Sequence, residues 1–179
     1  MSHLEDALAF DADDRPVQAI TSYESAIASS EADVEGYINL AMLYFECVDG
    51  GFQYYHQMSD EYVAGALGRA HATLDRAEER FGRHPEVEFW RHYFAQIYGA
   101  GPSFYELAAE LCESGVSLVP YLYAVVGPGG EQYVPGAKEL LNAVSKGLTT
   151  KERYIRSLMG SHGFDDLLRK EEKASGPSG

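Results

Sequence analysis

Basic residues are nearly missing from the first third of this chain. Residues 1–60 carry 12 acids against a single base, Arg15. Residues 61–120 carry nine against five and residues 121–179 seven against eight, for a net charge of −14. Such a field repels nucleic-acid phosphates and anionic lipid, so neither nucleic acid nor membrane is expected as a partner. It draws a basic protein partner toward the N-terminal third, although acidity also serves solubility by itself. Cysteine is scarce too. Cys47 and Cys112 each sit among apolar neighbours and read as reduced, buried thiols, with nothing local arguing for a disulfide. Without a CxxC there is no thiol-ligated zinc signature. No apolar run approaches the roughly 20 residues that span a bilayer. The opening MSHLEDALAFDADD lacks the basic flank and apolar block of a signal peptide, so the cytoplasm is the expected location.

Catalytic motifs are equally thin. There is no HExxH and no GxSxG, and GPGG at 127–130 lacks both the following Lys-Ser/Thr and a preceding strand. No catalytic residue, metal or cofactor is therefore expected. The nearest approach to chemistry is His84, Glu88 and His92. At a spacing of four, Glu88 and His92 share a helix face, which makes a small metal-dependent enzyme the alternative reading and a surface ion pair the plainer one.

Hydrophobic residues make up 45% of the 179, enough for the core of one domain or one compact repeat array. Their spacing is helical. Leu4, Ala7, Leu8 and Phe10 open the pattern. A second helix over roughly 15–29, with Asp14 as cap and Pro16 in its first turn, aligns Ala19, Ile20, Tyr23, Ala26 and Ile27. A third, over 34–47, aligns Tyr37, Leu40, Ala41 and Tyr44. A long pattern from Ser59 or Asp60 to Phe81 is weakened in its first half by Gly65 and Gly68 and stopped by Gly82. A fifth helix carries Val87, Trp90, Tyr93, Phe94 and Ile97, and Ser103 is placed to cap a sixth. Residues 117–136 read as a short helix with loop or as a small hairpin. Helices are expected again over 137–147 and 149–159, the latter with the capping-box pair Thr149 and Glu152. FDDLLRKEEK reads as a last helix, with a frayed, disordered tail over 171–179.

The pairs invite a test for internal period. Ala7 and Ala41, and Phe10 and Tyr44, stand 34 residues apart, with Ala19, Tyr23 and Ala26 between them. Tyr37, Leu40, Ala41 and Tyr44 follow the order of a W-x2-L-G-x2-Y first helix. On these residues the chain resembles the tetratricopeptide-repeat (TPR) family over roughly 1–112, and specifically over 16–45. Ala70, Leu74 and Ala77, then Pro85 and Trp90, repeat the idea more loosely, after an aromatic insertion at 48–60. The resemblance implies an all-α fold of antiparallel helix pairs stacked as a short TPR-like array. A less regular helical C-terminal lobe over 113–170 would pack on it; a further reading is that residues 113–179 dock in cis on the array and leave its concave face partly self-occupied.

The resemblance also implies a non-catalytic module that presents a concave surface to a protein partner. Exposed positions there would include Asp6, Asn39 and Glu46, with Asn39 free to hydrogen-bond a partner's backbone or only water. The insertion packs Phe52, Tyr54, Tyr55, His56 and Met58 into seven residues, the composition of an interface centre or of rings folded back on the long helix. An immunity or antitoxin-like protein masking a basic toxin, or a chaperone for a secreted effector, would fit this description.

Overall fold

The computed structural model describes residues 2–99 and 101–160. They form eleven α-helices and one 3-10 turn, with no strand among the described residues. In order, the helices are α1 (His3–Ala12), α2 (Pro16–Ala28), α3 (Val34–Glu46), α4 (Gly50–Tyr55), α5 (Asp60–Val63), α6 (Ala66–Phe81), α7 (Pro85–Ile97), α8 (Tyr105–Glu113), α9 (Tyr121–Ala124), α10 (Val134–Ala143) and α11 (Thr150–Met159). The expected last helix over 164–173 and the tail lie outside the described residues.

Local chemistry explains most boundaries. Ser2 and Glu5 close a reciprocal capping box on α1. Asp33, Asp49, Ser59 and Thr149 accept backbone N–H groups at the starts of α3, α4, α5 and α11. Pro16 and Pro85 occupy first-turn positions, where a missing N–H leaves no orphan. Gly65, left-handed at φ 73°, splits the expected long helix into α5 and α6.

Three expectations are revised. Asp14 does not cap α2; it takes a left-handed conformation at φ 58°, and its carboxylate turns toward His56 and Arg153. Ser103 does not cap α8, whose first turn has no side-chain cap. At α11 the Glu152 carboxylate accepts from Leu148 N–H (2.6 Å), one residue before the cap, so the box is displaced. Residues 117–136 take the helical alternative, as α9 and a 3-10 turn at Gly130–Tyr133. A Cβ at Gly130 would lie 2.1 Å from the Val125 carbonyl oxygen, so only glycine permits this closure.

Packing follows chain order: α1 on α2, α2 on α3, α3 on α6, α6 on α7 and α7 on α8. α3 and α6 run antiparallel, since Tyr37 meets Phe81 while Tyr44 lies under Arg69. After α8 the chain returns through α9 and α10, and α11 packs on α3. With α2, α6 and α11 around it, α3 buries every residue from 36 to 45, not one stripe alone. Phe45 stacks on Phe94 at 4.2 Å and meets the Tyr154 ring edge-on, which joins α3, α7 and α11 in one aromatic core. Both cysteines are buried and free.

Candidate functional site

α11 lies against α3 and α7, and two kinds of carboxylate meet it there. At its start, Asp11 of α1 is fully enclosed. Its Oδ1 accepts from the Thr150 N–H (2.8 Å), the Thr150 hydroxyl (2.7 Å) and Arg153 Nη2 (3.1 Å). Burial raises its pKa, and the Thr150 bonds and Arg153 charge oppose that rise. At the next residue, Lys151 Nζ reaches Glu86 Oε1 (2.8 Å) and also pairs with Glu35. Glu86 accepts in addition from Trp90 Nε1 (3.3 Å) and from the Ser117 hydroxyl (2.8 Å). Burial alone would raise Glu86 and lower Lys151; their mutual charge outweighs it, leaving Glu86 depressed and Lys151 elevated. Every carboxylate in this group has a partner.

Beside the Asp11 contacts, lined in part by Thr150 and Arg153 themselves, opens a cleft of about 270 Å³. The last residue of α3 contributes Glu46, α4 and its C-cap contribute Phe52, Tyr55 and His56, and α11 contributes Arg153 and Tyr154. The cleft is shaped by the α3–α4 turn, where Asp49 caps α4 and turns the short helix back over the end of α3. Arg153 is already committed: it donates to Asp11 O (3.1 Å), Leu148 O (3.0 Å) and Thr150 Oγ1 (2.9 Å). Tyr154 shares a hydrogen bond with the Tyr93 hydroxyl at 2.9 Å. His56 Nε2 faces Asp14 at 3.7 Å, and burial lowers its pKa.

The Glu46 carboxylate has neither hydrogen bond nor ion pair among the described residues. Burial, with the Asp49 charge adding to it and Arg153 opposing, pushes its carboxyl up to about 7. It is a half-buried acid with open valences.

The residues singled out from sequence divide. Glu46, Phe52, Tyr55 and His56 come together in this cleft. Tyr54 is 88% exposed and Tyr55 72%, so α4 turns two rings outward. Met58 folds inward instead, its Sδ 3.7 Å from Cys47 Sγ. Asn39 is not the exposed residue expected. It is 1% exposed, with its Oδ1 buried and unbonded, because neighbouring helices surround α3 on all sides. Asp6 is half-buried on α1. Sequence reading did not single out Arg153 and Tyr154; the TKERY cap region marked a helix start, but nothing local says which face it meets.

His84, Glu88 and His92 do not converge. Arg83 grips Glu88 through Nε (2.8 Å) and Nη2 (3.2 Å), while His92 stands beside the Phe104 ring at 5.7 Å. Among the described residues no group of three or more His, Cys, Asp or Glu side chains is placed to hold a metal. His92 instead borders a second, open cleft of about 650 Å³, walled by Phe104, Tyr105 and Tyr133.

Comparison with protein-family models, with curated proteins and with solved structures finds no significant match. Among the described residues no helix is long and apolar enough to cross a membrane.

Proposed function

We propose that the chain is a non-catalytic interaction module, TPR-like in its stacked helix pairs, that binds a protein partner with a basic surface. The observation that carries this reading is α4, which holds Tyr54 and Tyr55 in solvent at the edge of an acid-rich lobe. Exposed rings are the commonest anchors of protein interfaces, and complementary charge steers the approach. α11 covers the inner face of α3, which leaves the α4 edge, with Glu46 beside it, as the docking side. The excess of acid disfavours nucleic acid, and the cytoplasm is the compartment in which we place the activity. A basic toxin masked by an immunity-type protein, or an effector held by its chaperone, is the class of partner that fits.

The test is a tagged pull-down from the native cell at low and high salt, with Tyr54→Ala/Tyr55→Ala in parallel. One stoichiometric basic protein, released by salt and absent with the double variant, is the expected result. A partner captured equally by the double variant would refute α4 as the docking element. Assaying the activity of the captured protein in the complex separates masking from chaperoning.

A further inference from the structure

We infer that the cleft between α3, α4 and α11 is a socket for one lysine or arginine side chain of the protein partner, received by the Glu46 carboxylate. The inference rests on the interaction-module reading and adds to it the contact that selects a basic partner.

Four observations converge on this. The first is the open partnership of Glu46. Among the described acids that meet α11, Asp11, Glu35 and Glu86 are each matched to Thr150, Lys151 or Arg153, and the Glu46 carboxylate is not. A carboxylate without hydrogen bond or counter-ion in a half-buried position is costly, and a cation from outside relieves that cost. The second is its place at the end of α3. Helix C-termini carry partial negative charge from unsatisfied carbonyls, which favours a positive group. The third is the wall of the cleft: Phe52, Tyr55 and Tyr154 present rings, the surfaces on which ammonium and guanidinium groups rest favourably. The fourth is size. At about 270 Å³ the space falls below the ~300–1,000 Å³ of small-molecule pockets and suits a single long side chain.

The charged groups around Glu46 decide the sign. Asp49, from the α3–α4 turn, adds negative charge. Asp14, from the α1–α2 turn, also lines the cleft and is shared by His56 and Arg153. Among the described residues Arg153 on α11 is the one cation lining the cleft, and its Nη1 and Nη2 groups donate to Asp11, Thr150 and Leu148. Burial lowers the His56 pKa and so favours its neutral form. Tyr93 of α7, Tyr98 at its C-terminal cap and Tyr154 of α11 are raised, by burial first and with the Glu46 charge adding, and are therefore neutral. The site is net acidic once Glu46 ionises. Occupation by a cation requires that ionisation, so binding strengthens through neutral pH. Its affinity should fall roughly tenfold from pH 8 to pH 6, as the ionised fraction of a group titrating near 7 falls.

The experiment uses the full chain and small probes. Nα-acetyl-arginine methylamide and Nα-acetyl-lysine methylamide, with the norleucine analogue as neutral control, are titrated at pH 6 and 8 by NMR. The expected result is saturable binding of the cationic probes, with shifts centred on Glu46, Tyr55 and Tyr154, weakened at pH 6 and reduced at least tenfold in Glu46→Gln. Gln fills the same space and removes an uncompensated charge, so this variant folds. His56→Gln should keep the pH dependence. No saturable binding, equal binding of the norleucine analogue, or binding unchanged in Glu46→Gln would overturn the socket. None of those results bears on whether α4 captures a partner, which the Tyr54/Tyr55 pull-down decides separately.

Discussion

Asp11 and Glu46 both meet α11, one held by its donors and one at the side of the cleft beside them, and they teach opposite lessons. Asp11 is the more deeply buried, and it is surrounded by donors from Thr150 and Arg153. Glu46 is less buried and has no donor. With Glu35 and Glu86 around Lys151, the held acids close the fold by tying α1, α3 and α7 to α11. The cleft leaves an acid at the rim with its bonding capacity unused. Acidic composition alone does not mark a binding surface; an acid that the fold has left unmatched does.

The largest effect expected from breaking this contrast is at Lys151. Lys151→Met leaves Glu86 buried beside Glu35 with no cation, and removing one partner of a buried pair costs about 3–5 kcal/mol. Denaturant unfolding measures it. Adding Glu86→Gln to Lys151→Met should recover part of that loss, because the uncompensated charge is then gone. A loss below about 1 kcal/mol in the single variant would mean that the network is not what holds α11 down.

Next in size is Asp11→Ala, which strands the Thr150 N–H and hydroxyl and weakens the hold on Arg153. Roughly 2–3 kcal/mol is expected from the unsatisfied buried donors. Arg153 also lines the Glu46 cleft, so the variant should disturb cation binding there as well.

Glu46→Gln should move stability in the other direction. The folded protein holds this proton up to about pH 7, whereas the unfolded chain releases it near 4.5. Between those values the folded state binds more protons, so Glu46's contribution is fully present below pH 4.5 and is lost as pH rises through 7. The advantage of Glu46→Gln over the parent should therefore be near zero at acid pH, grow through that window and level off above it. At ~1.4 kcal/mol per unit its upper limit is roughly 3 kcal/mol, reduced by solvent access to the cleft. Melting curves at pH 4.5, 6 and 8 check the trend. Equal stability of the two proteins at all three would show that Glu46 is already satisfied.

Much of the scaffold around the held acids was legible in the sequence, and little of the cleft's function. Tyr37, Leu40, Ala41 and Tyr44 announced α3 through spacing, Thr149 announced the start of α11, and Gly65 and Gly68 marked the weak half of the long pattern that Gly65 divides into α5 and α6. These are signals carried within one or two turns. The bonds from Thr150 to Asp11 join residues 139 positions apart, and no local pattern encodes them. Asn39 fails for the same reason: its polarity invites a surface assignment, and only the assembled α3 neighbours bury it. In the insertion, periodicity offers no guide, so Met58 and Tyr54 look alike in composition although one faces Cys47 and the other solvent. Glu46 could be picked out as acidic, but its lack of a partner is a property of three elements at once.

The smallest stability effect is expected at Tyr54 and Tyr55, where the contrast between fold and function is sharpest. Their rings are the most exposed large hydrophobic side chains among the described residues, so truncation removes little burial and should change unfolding by no more than about 0.5 kcal/mol each. Tyr55 meets the His56 ring edge-on at 4.8 Å, which makes its truncation the slightly larger of the two. If these rings anchor a partner, each alanine should weaken the complex by at least 1–2 kcal/mol while melting stays unchanged. A residue that lowers affinity without lowering stability belongs to the surface that acts. Loss of both together would return α4 to the same role as Lys151, a part of the closure and not of the site.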